Sequence, residues 1–351
     1  MTLTQKLAHF ALEINYDNIQ SETIEMAKKT FIDAIACIIS GSGCHEIGMA
    51  IDYCLLYGGV PRSTIIGSGG KRTDPCNCAM INGMSAHIKD FDDISEEMRG
   101  HPSVAVLPTA LALGELCNSS GKEVLLSYIA GVEVCSLLGR GLYPGHCNPG
   151  WNTTSAVGVF GAVVAAAKLL KLNEEQLTNA FAIAASEASG LKGNFGTSAK
   201  DLTAGRTGSK AIFSAEMAKR GFIGKTDIME CKSGFAQTAT INMNIHAIEK
   251  AIKDRKSTFI DPGITIKPYP SCRANHGGID AAFEFLKEDH LDFNEVEQII
   301  CRVAPSVMEN ERYENPKTAN EAKFSLPYCI SLVLYKGNIS IADFEDTLID
   351  D

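Results

Sequence analysis

Apolar residues recur at every third or fourth position through most of the first 260 residues, which is the spacing of amphipathic and buried helices. Short breaks rich in Gly, Asn or Pro divide this region into segments of helical length. The clearest segment runs from Thr23 to Ile39, and the glycines that follow, Gly41 and Gly43, are expected to end it. Residues 1–260 are therefore predicted to form one large all-helical domain.

Two segments rich in Ala and Gly, residues 156–170 and 175–191, lie in the second half of this domain. Asn173 is expected to cap the second segment, because its side chain can accept a hydrogen bond from the first amides of a helix that opens with Glu174 and Glu175. Helices this rich in small residues can pack very closely. The pair is therefore expected at the centre of the helical domain.

The sequence changes character after about residue 258. Residues 257–270 combine β-branched residues with prolines, residues 275–286 return to a helical pattern, and residues 298–308 are typical of a buried strand. The chain is therefore predicted to be mostly α, with a smaller α+β lid domain at residues 261–351. One helix pair and one clear strand are too few to close a sheet of usual size, so the lid is expected to be truncated at its C-terminal end.

Charge and hydropathy limit the partners and the location. The 32 Lys and Arg residues against 42 Asp and Glu residues give a net charge of -10, without a basic run, so neither nucleic acid nor an anionic membrane is an expected partner. No apolar stretch is expected to reach the length of a membrane span, and the N-terminus lacks the features of a signal peptide. We therefore expect a cytoplasmic protein.

The twelve cysteines are expected to form no disulfides and mostly to fill the core as small apolar residues. Those in apolar helical segments are Cys37, Cys54, Cys117, Cys135 and Cys329. Cys76 and Cys78 form a lone Cys-x-Cys pair without a second pair at zinc-site spacing. No metal site is predicted there.

An acidic run with Asp90, Asp92 and Asp93 precedes His101 and Pro102. An isolated run of this kind is usually a solvated surface or a helix cap, and Asp92 is expected to be its solvated member. Pro102 suits the first position of a helix over the apolar residues that follow, which places His101 at the N-terminus of that helix. A helix N-terminus favours a neutral imidazole, which is a competent general base; a purely structural histidine is the alternative.

Lys200 is expected in a loop bounded by glycines, just before a helix that carries Arg206 and Lys210. Gly193 and Gly196 would let the backbone approach a ligand closely. The spacing does not match a phosphate-binding loop, and no strand precedes it, so nucleotide binding is not predicted. A solvated loop with an extended lysine is the alternative.

The turn that begins at Lys267 concentrates Cys272, Arg273 and His276 between prolines and the start of a helix. Prolines stiffen such a turn and hold its side chains in place. It is either part of an active site or a rigid corner between domains, while a thiol nucleophile lacks any neighbouring signature. Tyr313 would by pattern alone be a surface tyrosine.

Taken together and in this order, these motifs resemble those of the MmgE/PrpD family, which includes 2-methylcitrate dehydratase, cis-aconitate decarboxylase and iminodisuccinate epimerase. The matching pieces are AHIKDFDD with GHPSVAVLPTALALGE, GNFGTSAKDLTAGRTG, KPYPSCRANHGGIDA and EAKFSLPY. The resemblance covers essentially the whole chain. It implies a helical domain, a smaller lid domain, a homodimer, no cofactor, and an active site between the domains.

The resemblance also implies which residues act. By likeness to the decarboxylase, the catalytic residues are Asp90, His101, Lys200, Lys267 and Tyr313. The residues expected to bind substrate are Asn152, Arg206, Cys272, Arg273 and His276. Asn152 and Cys272 depart from the decarboxylase, which has histidine at both positions, and these departures argue against decarboxylation.

The expected function is a cofactor-independent lyase that removes a proton next to a carboxylate of a small di- or tricarboxylate. The cations that would hold such an anion are Lys200, Arg206, Lys267 and Arg273. Dehydration of a 2-methylcitrate or citrate type of substrate is preferred, with His101 as acid or base and Tyr313 or Lys267 as the partner proton donor. Epimerisation, decarboxylation, and an inactive homologue with a binding or assembly role are the alternatives.

Overall fold

The computed structural model describes residues 1–142, 150–239, 243–287 and 296–349. The chain is mostly helical, as predicted, and it groups into two compact units. The first unit holds residues 1–88, 92–192 and 201–266, and the second holds residues 89–91, 193–200 and 267–351.

Helices form most of the first unit. In chain order they are α1 (Leu3–Glu13), α2 (Ser21–Gly41), α3 (His45–Tyr57), α4 (Pro75–His87), α5 (Pro102–Leu116), α6 (Gly121–Leu142), α7 (Thr153–Ala156), α8 (Gly158–Leu170), α9 (Glu174–Glu187), α10 (Ser198–Lys219), α11 (Phe235–Ala239) and α12 (Ile245–Asp254). The first three residues of α10 group with the second unit.

The local signals for helix ends are confirmed. Helix α2 ends at Gly41, as the glycine-rich break predicts. Asn173 caps α9 through a capping box, in which its side chain accepts a hydrogen bond from the Gln176 amide and the Gln176 side chain accepts one from the Asn173 amide. Helix α5 begins at Pro102 with His101 at the cap position.

Two short antiparallel strand pairs complete the first unit. Strand β1 (Ser63–Thr64) pairs with β2 (Arg72–Thr73), and β3 (Ile94–Ser95) pairs with β4 (Ile264–Thr265). Strand β3 directly follows Asp93, the last residue of the acidic run. Its pairing therefore fixes the backbone just beyond that run.

The core of the first unit is centred on α8, which packs against α5, α6 and α9. The contact between α6 and α8 is a close approach of two backbones at Gly131 and Gly161. A Cβ added at either glycine would lie 2.5 Å from the carbonyl oxygen of the other. The expected central position of the small-residue helices is confirmed for α8, because only glycine allows this spacing.

Two helical stretches, Gly121–Leu142 and Thr153–Leu170, are long and apolar enough to cross a membrane by length and composition. This differs from the expectation that no stretch reaches that length. Most residues of both stretches are buried inside the first unit. Their apolar composition is therefore accounted for by the helical core.

The second unit contains α13 (His276–Lys287), α14 (Pro305–Met308), α15 (Ala319–Ala322) and α16 (Leu326–Lys336). Helices α13 and α16 pack together over an apolar core that includes Ile279, Ile330 and Val333. The helix predicted over residues 275–286 is thereby confirmed as α13.

The strand predicted at residues 298–308 is wrong. Residues 298–304 have no regular structure, Ile299 and Ile300 are exposed, and the last four residues form α14. A strand needs a neighbouring strand to take up its backbone hydrogen bonds. The described residues of the second unit offer none.

No disulfide joins any of the eleven cysteines that the structure describes, and Cys147 lies outside the described residues. Cys37, Cys54, Cys135 and Cys329 are buried, as expected of core residues. Cys117 is exposed instead, because it follows the last turn of α5 rather than facing the helical core.

Candidate active site

A buried aspartate between two lysines forms one candidate site, within the second unit. Lys200 Nζ lies 2.6 Å from Asp90 Oδ1, and Lys267 Nζ lies 3.1 Å from Asp90 Oδ2. Lys267 Nζ also donates to the Asp90 carbonyl oxygen at 2.7 Å. Asp90 has a φ of 50°, a left-handed conformation that costs free energy in residues other than glycine and is typical of functional sites.

Both lysines are almost completely buried, with 5% of Lys200 and 2% of Lys267 exposed. Buried ammonium groups require a partner charge or a ligand, because desolvation is costly. The structure therefore brings together three residues that the sequence analysis placed in separate motifs.

Lys200 lies in the first turn of α10 and not in a loop, so that prediction and its solvated alternative are wrong. Its ammonium group sits 5.2 Å from the ring centre of Phe324 and 5.9 Å from that of Phe195. Aromatic faces attract a cation through the ring quadrupole. The two rings therefore help to hold Lys200 toward Asp90.

Tyr313 is half-buried and is not a surface tyrosine. Its Oη donates to the Phe195 carbonyl oxygen at 2.8 Å. Gly196 has a φ of 85°, and a Cβ there would lie 2.5 Å from the Tyr313 ring. Gly196 thus admits the tyrosine ring, whereas the sequence analysis assigned the close approach to a ligand.

The turn after Lys267 holds a neutral histidine. His276 is buried at the start of α13, and its Nε2 lies 3.3 Å from the Ser271 carbonyl oxygen. Burial, followed by the charge of Lys267, lowers the pKa of His276 to about 4. Since the carbonyl can only accept a hydrogen bond, Nε2 carries the proton and Nδ1 has the lone pair.

Cys272 is a protonated thiol in this environment. Burial, and then the negative charges of Glu311 and Asp90, raise the pKa of the Cys272 thiol well above its usual value. Only a thiolate is a competent nucleophile at neutral pH. The geometry therefore does not support the nucleophile interpretation. Arg273 lies beside it, partly exposed, in a short 3-10 turn.

Glu311 is a buried carboxyl group that the sequence analysis missed. Only 7% of the residue is exposed, and burial raises the pKa of Glu311 to about 8 against the opposing effects of Cys272, Asn275 and Lys267. The surrounding stretch is rich in charged residues and is typical of an exposed loop, so local sequence contains no signal for this burial.

His101 and two further residues form a separate candidate group, within the first unit. His101 Nδ1 lies 2.9 Å from the Asp93 carbonyl oxygen and 3.1 Å from Asp92 Oδ2. The same Asp92 oxygen lies 2.8 Å from Nδ1 of His87, which the sequence analysis did not single out. The backbone amide of His101 donates to Thr154 Oγ1 at 3.2 Å, which holds the start of α5.

Asp92 is completely buried, so its assignment as the solvated member of the run is wrong. Burial by itself would raise the pKa of Asp92, but the charges and hydrogen bonds of His101 and His87 hold it well below its usual range. Asp92 is therefore ionised at neutral pH.

Asp93 behaves in the opposite way. Its carboxyl group is hydrogen-bonded to Ser103, which is hydrogen-bonded to Tyr128 and through it to Thr30. Burial, with smaller contributions from Asp33 and Asp92, raises the pKa of Asp93 to about 8. Two adjacent carboxyl groups thus differ in charge at neutral pH.

Two predicted substrate-binding residues have other roles in the structure. Asn152 is buried and caps α7, where its side chain accepts a hydrogen bond from the Thr154 amide at 3.1 Å. Arg206 belongs to the first unit, is exposed on α10 and contacts Ser209.

Two groups of potential metal ligands can be compared with the structure. Burial first of all raises the pKa of Cys76 to about 11 and that of Cys78 to about 12, so these thiols remain protonated and make poor ligands. The donor atoms of His87, Asp92 and His101 lie within 4.8 Å of one another. The 2.8 Å separation of His87 Nδ1 from Asp92 Oδ2 is that of a direct hydrogen bond, while His101 Nδ1 is hydrogen-bonded to the Asp93 carbonyl oxygen with Asp92 Oδ2 3.1 Å away, and these contacts account for the arrangement.

Comparisons with known proteins identify the family. The model of the MmgE/PrpD N-terminal domain matches residues 5–247, and that of the MmgE/PrpD C-terminal domain matches residues 269–351. Cis-aconitate decarboxylase of Homo sapiens is 26% identical over 362 residues, which cover 99% of this chain and 74% of the relative. For the same enzyme of Mus musculus the identity is 26% with coverages of 99% and 73%, and for that of Aspergillus terreus it is 26% with 98% and 74%. The chain belongs to the MmgE/PrpD family, and it is an enzyme of the lyase class, as its motifs predicted.

Proposed function

We propose that this chain is a cofactor-independent lyase of small polycarboxylates and that decarboxylation of cis-aconitate is the reaction to test first. The observation that supports a polycarboxylate substrate is the group formed by Asp90, Lys200 and Lys267. In their ionised forms these three buried side chains sum to a charge of plus one. A substrate carboxylate would balance that charge, and desolvated charge pairs of this kind bind strongly.

His101 supplies the proton-transfer group in this proposal. Its Nδ1 faces acceptors on Asp92 and Asp93, so the neutral ring carries its lone pair on Nε2. The His101 side chain is 14% exposed, while that of Asp92 is fully buried. Nε2 can therefore take a proton from a substrate carbon or, once protonated, return one.

The reaction needs one bond broken and one proton delivered. In decarboxylation the bond to the leaving carboxyl carbon breaks, carbon dioxide leaves, and the remaining electron pair is taken up by a proton from the enzyme. Lys267 donates two hydrogen bonds to Asp90, and its ammonium group has a third N–H that can donate to the substrate. Tyr313 is less suited as donor, because its hydroxyl proton is engaged by the Phe195 carbonyl.

Dehydration of a citrate or 2-methylcitrate type of substrate is the second candidate. The observation that favours it is Asn152, which occupies the position where the decarboxylase pattern has a histidine. Its side chain caps α7. A carboxamide does not titrate, so this position cannot exchange a proton with substrate. In dehydration His101 would remove the proton next to a carboxylate, and an acid would protonate the departing hydroxyl.

The deciding experiment is incubation of the purified chain with cis-aconitate, citrate, 2-methylcitrate and iminodisuccinate, followed by proton NMR of the products. Release of carbon dioxide from cis-aconitate, abolished in His101→Gln, supports the first proposal. Formation of an unsaturated acid from citrate or 2-methylcitrate supports the second. Turnover of none of the four substrates by a folded protein would refute both.

We further propose a homodimer, which rests on the family resemblance. Light scattering coupled to gel filtration measures the mass directly. A mass near twice 37.7 kDa supports the dimer, and a mass near 37.7 kDa contradicts it.

A further inference from the structure

Two imidazole rings share one carboxylate oxygen beneath the proposed proton-transfer residue. Asp92 Oδ2 lies 2.8 Å from His87 Nδ1 and 3.1 Å from His101 Nδ1. The side chains of His87 and Asp92 are fully buried, and the ring centres of His87 and His101 are 4.9 Å apart, edge to face. Among these three residues, His101 is the one whose side chain retains exposed surface.

The acceptors determine where the ring protons lie. An ionised carboxylate and a backbone carbonyl can only accept hydrogen bonds. His101 Nδ1 faces both kinds, Asp92 Oδ2 and the Asp93 carbonyl oxygen, and His87 Nδ1 faces Asp92 Oδ2. Both rings therefore carry a proton on Nδ1, and the Nε2 atom of a neutral His101 is a hydrogen-bond acceptor.

The charges around Asp92 also support its role as the acceptor beside the two rings. Burial raises the pKa of the adjacent Asp93 to about 8, with Asp33 adding to that rise, so Asp93 is mostly neutral at pH 7. Tyr128 and Ser103 face Asp93 rather than the imidazoles. Asp92 places a negative charge in direct contact with both rings.

We infer that Asp92 is a positioning residue for His101, which holds the ring with Nε2 available for substrate and stabilises the imidazolium that forms when Nε2 takes a proton. His87 donates to the same Asp92 oxygen and so holds the carboxylate in place. This inference rests on the proposed role of His101 in proton transfer. The arrangement has the logic of a histidine and carboxylate pair in hydrolases, where the carboxylate orients the ring without itself being protonated.

Sharing one oxygen gives His87 a defined task. Its Nδ1–H fixes the rotamer of the carboxylate, so that Oδ2 stays beside His101 Nδ1. A side chain that keeps a donor at this position should preserve the function, and one that lacks a donor should not. Asparagine places an N–H close to the Nδ1 position of histidine, while leucine has similar bulk and no donor.

The first test needs no substrate and no variant. The full chain labelled with 15N-histidine is studied by long-range 1H–15N correlation at pH 7.5, with His87→Asn and His101→Gln spectra to assign the two rings. Both rings are expected as the Nδ1–H tautomer. An Nε2–H tautomer at His101 overturns the inference, as does a stoichiometric metal ion in the purified protein whose removal by a chelator shifts both rings.

The second test separates a positioning role from a structural one. In Asp92→Asn the His101 ring loses its contact with a carboxylate while the Asp93 carbonyl still accepts from Nδ1, so the ring nitrogen shifts of His101 should move while its tautomer persists. Asp93→Asn is the matched control, because it changes an equally buried neighbour whose side chain touches neither ring. Identical ring nitrogen shifts of His101 in the parent and in Asp92→Asn contradict the inference.

Kinetics then tests the consequence for turnover. Asp92→Asn is expected to lower kcat about 10- to 100-fold with KM within about threefold, since the lost contact matters when charge develops on the ring. His87→Leu should lower kcat about tenfold, and His87→Asn should restore most of it. Unchanged kcat in Asp92→Asn, or equal losses in both His87 variants, contradicts the inference. If the chain turns over none of the substrates, the proposed function fails while the NMR tests still decide the role of Asp92.

Discussion

Glu311 is the residue whose burial should have the clearest effect on stability. Because burial raises its pKa from 4.5 to about 8, the folded chain keeps Glu311 protonated where the unfolded chain has already ionised. The unfolded state then binds fewer protons than the folded state between these values, so this carboxyl group makes the free energy of unfolding fall as pH rises from about 4.5 to about 8. Below that window it has no such effect.

Glu311→Gln should remove this fall in the free energy of unfolding with rising pH. The variant is expected to match the parent near pH 4 and to exceed it by a few kcal/mol, as an order of magnitude, near pH 8. Urea unfolding of both proteins at pH 4, 6 and 8 measures the difference. Glu314→Gln, an exposed neighbour, is the control and should follow the parent at every pH. A constant offset between Glu311→Gln and the parent would show that ionisation of Glu311 is not the cause.

Within the group formed by Asp90, Lys200 and Lys267, replacing a lysine should mainly weaken substrate binding, whereas replacing the aspartate should mainly lower stability. Lys200→Gln leaves Asp90 paired with Lys267 but removes the surplus positive charge, so the fold should persist while KM for a polycarboxylate rises about 10- to 100-fold. Steady-state kinetics, or calorimetry with cis-aconitate, measures this. Lys219→Gln, an exposed change on the same helix, should leave KM unaltered. An unchanged KM in Lys200→Gln would refute the carboxylate-binding role.

Asp90→Asn leaves two buried ammonium groups without their carboxylate. Breaking a buried ion pair by removing one partner costs about 3–5 kcal/mol, so this variant should be strongly destabilised. The urea midpoint measures the loss, and Asp17→Asn, at an exposed site, should show none. A stable Asp90→Asn protein would mean that other groups balance the lysines.

For single residues, the sequence predicts those features that depend on residues nearby in the chain. His101 was placed at a helix start because Pro102 is a local signal, and that placement is confirmed. The burial of Asp92 and of Glu311 was missed, since burial depends on chain segments far away in sequence. The contact of His87 with Asp92 was missed although only five residues separate them. Asp90, Lys200 and Lys267 were grouped through the family resemblance, because they stand more than sixty residues apart.

At the scale of secondary-structure elements, the prediction concerns the close packing of α6 against α8. Gly131→Ala would place a methyl group 2.5 Å from the Gly161 carbonyl oxygen, which the two backbones cannot accept without moving apart. Overpacking of this kind typically costs about 1–3 kcal/mol. Gly48→Ala is the control, because Gly48 is exposed on α3 with nothing near its added Cβ. It should gain up to about 1 kcal/mol in helix propensity. Thermal unfolding of both variants measures the two changes in stability. A change of the same sign in both would contradict the close approach of α6 and α8.

Periodicity was a good guide to helices and a poor one to the single predicted strand. A helix satisfies its own backbone, so α2, α9 and α13 could be located from their own residues. A strand depends on a partner segment, and residues 298–304 have none in the described part of the second unit. Lys200 was misassigned to a loop because Gly193 and Gly196 were taken to extend the break, whereas α10 begins only two residues after Gly196.

For the whole molecule, the two units differ in how much apolar surface holds them together. The first unit has a continuous core drawn from helices α1, α5, α6, α8 and α9. In the described part of the second unit, the core contains nine buried apolar residues, contributed mainly by α13 and α16. A fully buried large apolar side chain contributes roughly 1.5–3 kcal/mol, so the smaller core should open at a lower free energy.

Amide hydrogen exchange followed by mass spectrometry should therefore show slower exchange in α5, α6 and α8 than in α13 and α16. A difference of about 3 kcal/mol between the opening free energies corresponds to about a 100-fold difference in protection. The comparison is made in the full chain at one pH, so that intrinsic exchange rates cancel after correction for sequence. Leu3–Glu13, a terminal helix that belongs to the larger core, is the internal control and should follow α6 rather than α13. Equal protection in α6 and α13 would mean that the two units open together, and the difference in core size would then not determine the order of opening.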